Sequence, residues 1–232
     1  MKKLRVISNI IIVAVLVSLI VISIPFNSSV GASGNPNVIY QGNNDQNKVS
    51  FMINVYWGNE YIKPMLDVLD DYKVKTTFFV GGSWFAKNIE LGKEIYRRGH
   101  EIANHGYNHK DQDKLNYQQN YDEIEKTHLL VRANLGIEMN LFAPPSGAYN
   151  DTTVEVAQSL DYRTVMWTHD TIDWRDKNTD LIFKRATKDL SNGDLILMHP
   201  TKNTYEALGN ILAYAQNKGF VATTVTDTLG GV

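Results

Sequence analysis

Residues 48–82 read KVSFMINVYWGNEYIKPMLDVLDDYKVKTTFFVGG. Lys48–Trp57 is rich in β-branched and aromatic residues, the composition of a strand. Through Tyr61–Tyr72 the apolar side chains fall at Ile62, Met65, Leu66 and Leu69, a helical period. Thr76–Val80 is strand-like again and is closed by Gly81-Gly82. Strand, helix and strand within one such stretch make a βαβ unit, whose two strands must run parallel.

Outward from this unit the alternation continues. Ser83 is placed to cap a helix that runs to about Gly99, and His100–Asn104 is a short third strand. Tyr117–Leu135 is a long amphipathic helix with Ile124, Leu129, Val131 and Leu135 directed inward, stopped by Gly136. Asn140–Ala143 is a strand ended by Pro144-Pro145, and Asp151–Leu160 a helix capped by Asn150 or Asp151. Thr164–Thr168, Asp194–Met198 and Phe220–Val225 are further strands, separated by helices over Asp180–Leu190 and Thr204–Gln216. This is an α/β chain with about seven parallel strands. Periodicity leaves a closed barrel and an open doubly wound sheet both open, but in either the site lies at the carboxyl ends of the strands.

The first 32 residues read as an address. Lys2, Lys3 and Arg5 precede Ile10–Ile24, which is apolar apart from Ser18 and Ser23. Pro25 breaks that run, and Val30-Gly31-Ala32 suits cleavage of a signal peptide. Counted over residues 6–24, the run reaches nineteen residues, so a retained membrane anchor is the other reading. Both imply export. Residues 33–47, SGNPNVIYQGNNDQN, have linker composition, and a single domain follows over 48–230.

Composition narrows the function. The chain has no cysteine, which excludes a disulfide scaffold, a thiolate metal site and a thiol nucleophile. Beyond residue 32 there are 20 basic against 25 acidic side chains. That is the wrong sign for a nucleic-acid binder.

Polar and aromatic residues collect after five successive strands: Asn54 to Glu60, His105-Gly106-Tyr107-Asn108-His109, Pro144 to Gly147, Asp170 to Trp174, and His199-Pro200-Thr201. Groups at five strand ends converge on one bowl. The four-residue spacing of His105 and His109 lets two imidazoles meet one divalent ion, zinc being the expected one, although a pair of polar loop histidines shows the same spacing. His199 ends an apolar strand, where a titrating side chain needs a partner, and Asp173 can be that partner.

In that order the segments GHEIANHGYNH, FAPPSGAYN, MWTHDTIDW and GDLILMHPT, together with residues 49–82, resemble the NodB-homology polysaccharide deacetylases, carbohydrate esterase family 4. The resemblance implies a distorted (β/α) barrel and metal-dependent hydrolysis of acetyl groups on an envelope glycan such as peptidoglycan. It is nearest to exported envelope and sporulation-type members of Gram-positive bacteria. By position it makes His105 and His109 the metal-binding pair, His199 the catalytic acid and Asp173 the carboxylate that tunes it. Trp174 and Leu197 then form the acetyl-methyl walls, an amide near Pro145–Gly147 the oxyanion donor, and Tyr56 and Trp57 part of the groove. A monomer with a polysaccharide substrate is expected.

Three positions depart from the family pattern. The first motif, typically TFDDG, supplies a general base and a third metal ligand from its two aspartates; here Asn54 and Val55 stand in their places. An amide cannot take a proton from water at neutral pH, and a valine carries no donor atom. The Arg that pairs with the base is Ala143. Losing the acid and its arginine together avoids an unpaired buried charge. Two function classes follow: a deacetylase with a substitute ligand or base such as Glu60 or Asp170, or a silent glycan-binding relative.

Overall fold

A computed structural model describes residues 35–231. The expected signal peptide or anchor, including residues 6–24, lies outside the described residues. Among those described, no helix is long and apolar enough to cross a membrane.

The strand opening the quoted stretch is the centre of the sheet. β2 (Lys48–Val55) pairs in parallel with β3 (Thr77–Val80) on one side and with β8 (Leu195–Met198) on the other. The remaining strands are β1 (Val38–Ile39), β4 (Glu101–Asn104), β5 (Leu141–Phe142), β6 (Arg163–Val165), β7 (His169–Asp170) and β9 (Val221–Ala222). Their order is β1-β6-β5-β4-β3-β2-β8-β7, with β9 joined to the start of β2, and every pairing is parallel. The sheet curls into a distorted barrel with β1 and β7 at its two ends.

Crossovers are helical, as parallel pairing requires. They are α1 (Asn59–Asp71), α2 (Gly82–Lys87), α3 (Ile89–Arg97), α4 (Tyr117–Leu135), α5 (Asp151–Ser159), α6 (Thr179–Thr187) and α7 (Lys202–Asn217), followed by the short α8 (Val225–Thr228). The bounds of α4 match the sequence reading because its ends are chemically marked. Asn116 and Gln119 form a reciprocal capping box, and Gly136 closes the helix at φ 68°.

Alternation along the strands sorts two apolar layers. Phe51, Ile53, Val55, Phe78, Val80, Phe142, Ile196 and Met198 belong to the layer shared with the helices. Met52, Phe79, Ala103, Leu141, Ala143, Val165 and Leu195 fill the inside of the curl. The period of two explains why Asn54 looks inward with Met52, while Val55 joins the helix-facing layer.

Some expectations change. The stretch read as linker is, in its described part, built into the fold. Val38 and Ile39 pair with Thr164 and Val165, and the amides of Gly42 and Asn43 donate to the carbonyls of Gly193 (2.7 Å) and Thr228 (2.8 Å). Two residues among Asn and Gly are too short to show a strand period. The helix expected over 83–99 is split at Asn88, whose side-chain amide donates to the Trp84 carbonyl at 2.8 Å and so ends the first segment. Gly81, not Ser83, stands at its N-cap. Leu129 faces solvent at 44% exposure, since it falls off the buried stripe of Ile124, Thr127 and Val131. The final strand is only Val221–Ala222, because Thr224 caps α8. The two-residue β1 and β7 bring the expected seven strands to nine among the described residues.

Candidate functional site

The strand ends do converge. A cavity of about 370 Å³ is lined by Asn54, Tyr56, Trp57, His105, His109, Ser146, Gly147, Trp167, Asp170, Trp174, Leu197 and His199.

His105 follows β4 and is fully enclosed. Its Nδ1–H donates to the Ala143 carbonyl at 2.7 Å, and since a carbonyl only accepts, the tautomer is set and Nε2 keeps its lone pair. Burial pushes the His105 imidazole down to about 3, and the neighbouring His109 adds to the effect. His109 stands edge-on to it, ring centres 5.1 Å apart, on a left-handed backbone at φ 55°. Its own pKa is also lowered, first by burial. The loop between them hangs on the buried Glu123 of α4. That carboxylate accepts from the amides of Tyr107 (2.9 Å) and Asn108 (2.6 Å) and from the Asn108 side chain (2.9 Å).

His199 follows β8. Its Nδ1–H donates to Asp173 Oδ1 at 2.7 Å, and its backbone N–H donates to Oδ2 at 2.6 Å. The Thr204 hydroxyl donates to the same Oδ2. A fully buried carboxylate with three donors fixes the imidazole through both ring and backbone. Trp57 stacks on the His199 ring at 5.8 Å and 10°. The Trp57 turn requires Gly58, which adopts φ 81°; a Cβ there would sit 2.0 Å from the Pro200 carbonyl oxygen. The loop bearing Asp173 and Trp174 is tied to α6 by Arg185, which donates to the Thr171 carbonyl (3.0 Å) and pairs with Asp176 (2.7 Å).

Of the residues singled out in the sequence, Tyr56, Trp57, Trp174 and Leu197 line the cavity with the histidines and Asn54. Pro145 does not: it is buried behind the wall, and Ser146 and Gly147 take its place because Ser146 turns left-handed at φ 57°. Asp173 is one layer behind His199 rather than in the wall. Sequence reasoning missed Trp167, Thr204 and Glu123. An aromatic at the end of the β6 segment could have flagged Trp167, whereas nothing local marks the other two.

Position 54, where the resemblance expects a base, holds a neutral amide. Asn54 is 4% exposed, and its Oδ1 has no hydrogen-bond partner among the described residues. Val55 is packed among apolar side chains, and Ala143 is enclosed within the curl. Asp170 reaches the cavity, but Glu60 lies in a different surface groove. Among the described residues, no three His, Cys, Asp or Glu side chains come close enough to hold a metal ion. The donor set therefore does not fit a three-ligand catalytic metal.

The sequence pattern described as Polysaccharide deacetylase matches residues 41–165. The chain belongs to this family. As a polysaccharide deacetylase relative it is 41% identical over 194 residues to the Bacillus subtilis protein YlxY, covering 84% of this chain and 61% of that protein. It is 32% identical to a peptidoglycan-N-acetylglucosamine deacetylase of Bacillus cereus, covering 73% of this chain and 82% of that one. Among solved structures, a pseudoenzyme of the same esterase family from Bacillus anthracis superposes with a TM-score of 0.81 at 35% identity, covering 84% of this chain and 70% of that one. A mutant of that pseudoenzyme has restored enzymatic activity, and it too superposes at 0.81, with 33% identity and coverage of 84% and 72%.

Proposed function

We propose that this chain is a catalytically silent polysaccharide deacetylase relative that binds an envelope glycan, exported by way of its N-terminal segment. One observation carries the reading: the base position is a neutral amide whose oxygen has no partner among the described residues, and the neighbouring ligand position is a valine turned into the core. A deacetylase must generate a nucleophile from water, and neither residue can hold or accept the proton. The half of the cavity that would protonate a leaving group, His199 on Asp173, is intact. The similarity to a pseudoenzyme whose activity can be restored supports the same division.

What remains suits carbohydrate. Trp57 and Trp174 flank the cavity at 43% and 56% exposure, offering flat apolar faces to sugar rings. The retained His199–Asp173 pair favours a second reading, residual hydrolysis with His199 as general acid. The full chain, incubated with N-acetylglucosamine oligomers and with peptidoglycan, with and without added zinc, separates the two. Binding without acetate release is expected. Acetate release that disappears in His199→Ala would establish the deacetylase instead.

A further inference from the structure

A chain of hydrogen bonds runs from the loop bearing His105 and His109 to the outer surface. The Gly106 amide donates to Asn104 Oδ1 at 2.9 Å. A backbone N–H only donates, so the Asn104 side chain is oriented with its oxygen toward the loop and Nδ2 away from it. Nδ2 donates to the Ile124 carbonyl at 2.9 Å and to the Tyr162 hydroxyl oxygen at 3.2 Å. That hydroxyl stands 2.6 Å from His128 Nδ1, and His128 Nε2 stands 2.7 Å from the Glu138 carboxylate. Asn104 is fully buried and Tyr162 nearly so, whereas the Glu138 side chain is 68% exposed.

With His128 neutral, every donor in the chain has an acceptor. The carboxylate takes the Nε2–H, which leaves the Nδ1 lone pair for the Tyr162 O–H. Burial pushes the Tyr162 phenol up, so it keeps its proton. Protonating His128 makes both ring nitrogens donors. The Tyr162 hydrogen then has no acceptor, a costly state for a buried group, and the chain breaks at its middle. The charged groups around the ring are Glu138, Arg132 (3.5 Å from Glu138) and Glu125; Leu129, Leu160 and Tyr162 complete its surroundings. We propose that Tyr162 is a positioning residue for the 105–109 loop, and that through it the charge on His128 sets how firmly that loop is held beside the cavity. The loop is held best with His128 neutral.

His105-Gly106 is the one His-Gly pair in the sequence. Labelling histidine at its carbonyl carbon and glycine at its amide nitrogen therefore isolates the Gly106 amide in NMR spectra of the full chain in mild detergent. From about pH 8 to about pH 5, the span in which histidines charge, this signal is expected to shift with the midpoint of the His128 ring, which His128→Gln identifies. His109 and Glu123 also neighbour the loop, so the shared midpoint is the readout rather than a shift as such. In Tyr162→Phe the His128 ring is expected to titrate while Gly106 no longer follows it; a tyrosine that only filled space would give no such link. Glu138→Gln, at an exposed position that leaves folding intact, removes the carboxylate that favours the charged ring, so both midpoints fall together. A Gly106 signal that ignores the His128 midpoint, or follows it equally in Tyr162→Phe, overturns the proposal. So does a His128 midpoint moved by Glu138→Gln without Gly106 following. The consequence for ligand rests on the glycan-binding reading above. Affinity for N-acetylglucosamine oligomers is expected to fall about fivefold more over that pH span in the native chain than in Tyr162→Phe, the worth of one hydrogen bond. An equal fall overturns the proposal as well. Absence of binding by both chains removes the glycan reading alone, and the Gly106 signal still decides the proposal.

Discussion

The two sides of the cavity have been kept to different standards. On one side, His199, Asp173 and Thr204 form a closed set in which both carboxylate oxygens are satisfied and the imidazole is clamped from two directions. On the other, Asn54 leaves an oxygen without a partner among the described residues, Val55 belongs to the core, and Ala143 is buried in the apolar layer where the resemblance expects an arginine. Under the reading proposed above, the contrast is one by which a buried reactive site is silenced at little cost to the fold. Removing the base and its arginine together leaves no unpaired charge, whereas removing one alone would leave the other buried and uncompensated.

The comparison breaks most visibly by rebuilding the empty side. Asn54→Asp, Val55→Asp and Ala143→Arg together are expected to raise acetate release from N-acetylglucosamine oligomers with zinc by about 10²-fold or more over the native chain, the scale of a general base. If the intact side is ready for use, the added His199→Ala change returns that activity to background. A rebuilt but inactive protein with zinc bound would mean that the intact side is not competent.

The next largest effect concerns stability. Asp173→Ala is expected to cost about 3 kcal/mol in urea unfolding, because it strands the donors of His199 and Thr204 in the interior. Asn54→Ala on the other side is expected to cost under about 1 kcal/mol, since no hydrogen bond to its oxygen is lost. Equal costs would erase the asymmetry.

Protons sharpen it further. Burial depresses His105 to about 3 and His100, at the opposite end of β4, to about 4. The unfolded chain takes up these protons near pH 6.5 and the folded chain does not. Stability is therefore complete above about pH 6.5 and falls as the pH drops toward 4, by up to about 1.4 kcal/mol per pH unit for each histidine. Urea unfolding at pH 7 and pH 4.5 should show the loss, and His100→Gln should reduce it by one histidine's share. The smallest expected change is in binding. Trp57→Ala should weaken glycan affinity by about fivefold, the loss of one aromatic platform, and leave urea stability nearly unchanged because the indole is half-exposed.

Much of this site is legible in the order of residues. The histidine spacing, the apolar strand ending in His199, and Asn54, Val55 and Ala143 at the positions the resemblance gives to an acid, a ligand and an arginine all lie in contiguous motifs. Where the sequence misleads, the cause is shared: a local pattern compatible with two arrangements. Leu129 belongs to a helical pattern broad enough to place it on either face, and Pro145 sits beside a left-handed serine that moves the wall forward by one residue. Val38–Ile39 is too short to show a period.

From the sequence alone come the alternation of the longer strands with helices and the neutral side chains of Asn54, Val55 and Ala143, because periodicity and residue chemistry are local. Tertiary structure alone decides that Ala143 sets the His105 tautomer from 38 residues away, that Thr204 completes the Asp173 set from 31, and that Asn54 Oδ1 has no partner among the described residues. These are facts about which groups meet. Hydrogen-bond satisfaction depends on the atoms that the fold brings within about 3 Å, and no local pattern carries that information.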